Sequence, residues 1–72
     1  MKLPEGYKLK LVSRSIRGRK TVQLTIPGKY WPVHVFGPTN KGYRFRLLDT
    51  LYFAKDIPTA CAMISAILAM ED

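Results

Sequence analysis

The chain has 72 residues, nearly half of them apolar, and a formal charge of +7 from twelve Lys and Arg against five Asp and Glu. That length holds one domain, residues 1–72, with a small core, and the apolar fraction excludes a disordered basic tail. One cysteine, Cys61, and one histidine, His34, exclude an internal disulfide and a zinc site, so no metal or other cofactor is expected.

No apolar run approaches the ~20 residues that a membrane span needs. The first lysine is followed by no apolar stretch, so no signal peptide is expected and a reducing cytoplasm fits the composition. The charge is clustered as well as large. Residues 1–46 carry eleven cations and one carboxylate, whereas residues 47–72 carry one cation and four carboxylates. An excess of this kind repels itself and points to a polyanionic partner.

Residues 1–6 are expected to form a flexible arm. Tyr7, Leu9 and Leu11 then alternate with Lys8 and Lys10, the period-two pattern of a half-buried strand. Residues 13–20 form a basic turn with Gly18 near its tip. A second strand over 21–26 turns Val22, Leu24 and Ile26 inward and Thr21, Gln23 and Thr25 outward. Pro27 and Gly28 make a turn. A third strand covers 31–36, where Pro32 marks either a sheet edge or the start of the strand. Residues 37–42 are dense in turn chemistry and read as a loop. In the fourth strand, 43–47, Tyr43, Phe45 and Leu47 face one way and Arg44 and Arg46 the other.

Leu51, Tyr52 and Phe53 fit either a short extra strand or an extended connection. Asp56 suits a helix N-cap and Pro58 the first turn, so a helix is expected over about 57–70, ahead of Glu71 and Asp72. The fold class is therefore α+β: a small antiparallel sheet of three to four strands, with one C-terminal helix packed on its apolar face.

Two surfaces follow. The outer sheet face gathers Lys8, Lys10, Arg44 and Arg46, with Thr21, Gln23 and Thr25 and with His34 and Phe36 sharing it. The 14–20 turn, with Arg14, Arg17, Arg19 and Lys20, projects beside it. Lys and Arg neutralise phosphates, Arg offers a planar fork to a base edge, and a stranded ribbon can enter a major groove. Polar residues also suit any sheet with one wet face, and cations protect its edges, but the clustering favours nucleic-acid binding. The helix stripe Ile57, Ala60, Cys61, Ile64, Ile67 and Leu68 belongs on the sheet. Its other side includes Met63, Ala66 and Met70 and no charge between Ile57 and Met70, a candidate face for a protein partner or a homodimer.

Catalysis is not expected. Cys61 lies on the core stripe, Asp56 serves as a cap, and no phosphate-binding glycine loop, nucleophile elbow or HExxH motif occurs. A ribonuclease built on His34 with Arg44, Arg46 and Tyr30 is conceivable, but no spacing requires it.

The run Phe53-x-x-x-Ile57-x-x-Ala60 after the strand Tyr43-Arg-Phe-Arg resembles the last strand and helix start of phage-integrase N-terminal domains. The resemblance implies a three-stranded, helix-backed sheet that binds DNA through its open face. In size and style the chain is also similar to small phage regulators that bind host RNA polymerase. The expectation is a non-enzymatic basic regulator that binds nucleic acid. The alternative is a transcription inhibitor or antiterminator docked on RNA polymerase.

Overall fold

The computed structural model describes residues 3–15 and 17–71. Five strands precede one helix: β1 Lys8–Arg14, β2 Lys20–Thr25, β3 Pro32–Thr39, β4 Gly42–Leu47, β5 Thr50–Ala54 and α1 Ile57–Glu71. The strands form one antiparallel meander in the order β1-β2-β3-β4-β5. The fold is thus α+β as expected, but with five strands in place of three to four.

The additional strand arises from a two-residue turn. Leu47 pairs with Thr50, leaving Leu48 and Asp49 between them at φ 50° and 66°. Positive φ at both central residues is the type I′ pattern, whose twist matches antiparallel strands. The turn residues Leu48 and Asp49 lack the usual Asn-Gly signal, so composition does not mark the hairpin.

β3 also departs from expectation, because it takes in Gly37, Pro38 and Thr39, which read as loop. A register shift between Phe36 and Thr39 lets the strand pass Pro38, which has no N–H for the ladder. β3 lies in the middle of the sheet, so Pro32 marks the start of a central strand and not a sheet edge.

Alternation along the strands puts Val22, Leu24, Val33, Val35, Phe45, Leu47 and Ala54 in the core. From α1, the buried residues are Ile57, Ala60, Cys61 and Ile64; Ile67 and Leu68 pack at the core's margin. Phe45 and Tyr52 stack with centroids 5.5 Å apart. Each large apolar side chain removed from water here contributes about 1.5–3 kcal/mol. Asp56 caps the helix as expected: its carbonyl accepts from the Ala60 N–H at 3.1 Å, and its Oδ1 accepts from the Thr59 N–H at 2.8 Å.

α1 packs against β4 and β5. One helix, about 10–12 Å wide, cannot span five strands spaced at about 4.8 Å. β1 therefore lies beyond its cover. Leu9 and Leu11 pair with Leu24 and Val22 on the helix side, yet remain 37% and 48% exposed. Tyr7, just before the strand, joins the helix: its hydroxyl donates to the Cys61 carbonyl at 3.3 Å and lies 2.6 Å from Ser65 Oγ. Of the arm expected over 1–6, Met1 and Lys2 lie outside the described residues. Leu3 packs against the core, and residues 4–7 form a turn closed by the Tyr7 N–H donating to the Pro4 carbonyl at 3.2 Å. Asp72 also lies outside the described residues.

Candidate nucleic-acid interface

Strand register determines what shares the outer face. Across the sheet, Thr21 pairs with Phe36, Phe36 with Arg44, and Arg44 with Phe53. Directly opposed residues in a ladder lie on the same side, so one row reads Thr21, Phe36, Arg44, Phe53. A neighbouring row holds Lys10, Gln23 and His34, and Arg46 pairs with Leu51 on the same side. Lys8 stands opposite Thr25. None of the five strands contains an Asp or Glu, so strand carboxylates do not neutralise these cations.

Two shallow grooves cross this face. One, of about 450 Å³, is lined by Arg19, Phe36, Thr39, Asn40, Lys41, Arg44 and Phe53. The other, of about 390 Å³, has His34, Phe36, Arg44, Arg46 and Leu51 in its walls. Phe36 and Arg44 belong to both, so the grooves are contiguous. The Arg44 guanidinium carbon sits 4.7 Å from the Phe36 ring centroid, and the Lys41 ammonium 5.6 Å from that of Phe53. Both distances suit attraction between a cation and a ring face. The Thr39 hydroxyl fixes the neighbouring turn, donating to the Gly42 carbonyl at 2.7 Å and accepting from the Lys41 N–H at 3.2 Å.

The expected site residues divide into two sets. Lys8, Lys10, Arg44 and Arg46 share the outer face, and Arg19 reaches the groove beside Phe36 and Phe53. Arg14 and Lys20 do not join them. They pair with each other, and Lys20 with Gly37, on the side that holds Val22 and Val35. The register shift between Leu11 and Ser13 turns Arg14 to that side, because an extra residue on one strand turns those beyond it to the opposite face, whereas Lys20 reaches it by plain alternation with Val22. Arg17 is exposed at the turn, where its N–H donates to Ser15 Oγ at 3.3 Å. The basic 14–20 turn is therefore not one surface.

Phe53, Leu51, Asn40 and Lys41 were missed as members of this face. Every residue of 51–54 is apolar, so alternation did not reveal which of them point outward. His34, Arg44 and Arg46 surround one groove, but Tyr30 is 97% exposed and absent from its walls. On the helix, Ala66 is exposed and Met70 is 83% exposed, whereas Met63 is half-buried and packs against the core. Burial raises the pKa of the Cys61 thiol, which disfavours the reactive thiolate. Among the described residues no helix is long and apolar enough to cross a membrane, and no cluster of three or more His, Cys, Asp or Glu is placed to hold a metal ion.

The five-stranded meander departs from the three-stranded sheet that the phage-integrase resemblance implied. No family model matches the chain, and neither the curated proteins nor the solved structures gave a similar protein.

Proposed function

We propose that this protein is a non-enzymatic basic regulator that binds nucleic acid through the outer face of its sheet. The supporting observation is the row Phe36, Arg44, Phe53, flanked by Lys41 and Arg19 and continuous with Arg46 and His34, on strands free of carboxylates. Cations there release counterions from a phosphate backbone, and the grooves hold side chains able to contact bases. Titration of labelled oligonucleotides over a salt series tests the reading. Affinity should fall steeply, with a log–log slope of about −0.7 to −0.9 per phosphate contact. A protein that binds neither single strands nor duplexes at low salt is not a nucleic-acid-binding protein of this kind.

A second reading draws on the helix. Met70 projects into solvent beside the exposed Ala66 and Ala69, an apolar surface suited to a protein partner. Under that reading the protein is an inhibitor or antiterminator that docks on RNA polymerase. Retention on purified RNA polymerase by a protein lacking salt-dependent oligonucleotide binding favours it.

A further inference from the structure

We propose that the ligand of the outer face is single-stranded nucleic acid, held by stacking of its bases on Phe53 and Phe36. This inference rests on the nucleic-acid reading above and narrows it to one substrate class.

Ring placement carries the inference. Phe36 and Phe53 could have entered the core with Phe45 and Tyr52, but register puts both on the outer face, on either side of Arg44. Phe53 is 40% exposed and Phe36 half-buried; the long side chains of Lys41 and Arg44 lie over their rings and would swing aside to meet phosphates as a base took each ring face. A duplex conceals its base faces within its own stack and offers a protein only edges and phosphates. Exposed phenylalanines have no hydrogen bond to give those edges. An unpaired base presents its whole π-face, and aromatic rings on a sheet are a recurrent means of holding it.

The surrounding side chains complete the chemistry. Lys41 and Arg19 border the groove at Phe53, and Arg46 extends the contiguous groove past Phe36. Phosphates of a strand lying over the rings would therefore meet cations at both ends. Asn40 and His34 offer hydrogen bonds to base edges that pairing would otherwise occupy. The strands that carry the rings, β3 and β5, are two apart in the sheet, a spacing of about 10 Å that one extended nucleic-acid strand spans.

The test compares single-stranded RNA, single-stranded DNA and duplex DNA of one sequence, each of about 12 nucleotides, by fluorescence anisotropy at fixed salt. Wild type should bind a single strand of RNA or DNA more tightly than the duplex. Phe53→Leu, which keeps apolar bulk and removes the π-face, should weaken single-strand binding about tenfold and so narrow or abolish the preference for a single strand over the duplex. Circular dichroism verifies that the variant is folded. Ultraviolet crosslinking of the unmodified protein provides an independent measurement, and the crosslinked peptides should contain Phe36 or Phe53. Equal or tighter duplex binding, with no effect of Phe53→Leu and crosslinks elsewhere, overturns the stacking proposal while the broader nucleic-acid reading stands. Absence of salt-dependent binding to all three probes overturns both.

Discussion

Arg44 stands directly opposite Phe53 across β4 and β5, and opposite Phe36 across β3 and β4. Its guanidinium lies over the Phe36 ring, on a face whose strands contain no acid, while Lys41 lies over the ring of Phe53. In the proposed complex Arg44 is a phosphate contact positioned by its aromatic neighbours.

Position within the sheet, and not charge alone, should then govern binding. The pairs Arg44→Ala with Arg46→Ala, and Arg14→Ala with Lys20→Ala, each remove two charges. The first pair lies on the outer face and the second on the helix side. Loss of Arg44 and Arg46 should reduce the magnitude of the log–log salt slope by about 1.4–1.8, at 0.7–0.9 per contact. Loss of Arg14 and Lys20 should leave it nearly unchanged, since screening confines exposed charges to about 8–10 Å at physiological salt. Equal effects of the two double variants would show that the outer face has no special role.

The sequence exposed these arginines because Tyr43, Phe45 and Leu47 alternate with them so regularly. It placed Phe36 beside them but concealed Phe53. Placing Phe53 outward requires knowing that Leu47 pairs with Thr50, and that register depends on two turn residues of unusual backbone conformation. The 14–20 turn is not a single surface partly for a similar reason: the register shift that turns Arg14 is invisible in composition, although the position of Lys20 follows from its alternation with Val22. Helix cap and core stripe were legible, since one depends on local hydrogen bonding at Asp56 and the other on a simple 3.6-residue period.

Leu48 is half-exposed and held at φ 50°, where its Cβ crowds the following carbonyl. Asn tolerates that region better and is favoured in type I′ turns. Leu48→Asn should stabilise the protein by about 1 kcal/mol, since little burial is lost. In a domain of this size that corresponds to a rise of roughly 4–8 °C in the midpoint of thermal unfolding. Leu48→Ala, which keeps a Cβ without the local hydrogen bonding, should give little of this gain. An unchanged midpoint in Leu48→Asn would mean that the turn is not a source of strain.

Gly42 combines two constraints, of which Gly18 carries only one. Its φ is 92°, and a Cβ would run into the Ala54 carbonyl oxygen and lie 3.2 Å from the Ala54 carbonyl carbon. Gly18 has a similar φ, 84°, but open space around it. Gly18→Ala should therefore cost only the conformational penalty, about 1–2 kcal/mol. Gly42→Ala should cost clearly more, because rigid β5 backbone must move. Urea midpoints of the two variants measure the difference. Since Gly42 anchors the turn that carries Asn40 and Lys41, a folded Gly42→Ala should also bind oligonucleotides more weakly than Gly18→Ala.

Asp56 ties stability to pH through the helix start. Hydrogen bonds from Thr59, with its side chain contributing most and its backbone N–H next, hold the carboxyl below its ordinary range; Lys55 adds a smaller electrostatic contribution. A depressed folded-state pKa means that the unfolded chain binds the proton first. The stabilisation is therefore present above the unfolded value of about 3.9 and is lost as pH falls from there through the folded value. Asp56→Asn can still accept the Thr59 N–H bond but cannot titrate, whereas Asp56→Ala loses the cap altogether. At neutral pH, Asp56→Ala should be the less stable of the two by urea unfolding. Over the interval below about pH 4, wild type should lose part of its advantage over Asp56→Asn. A gap that stays constant across that interval would show that the Thr59 contacts do not favour the ionised carboxylate.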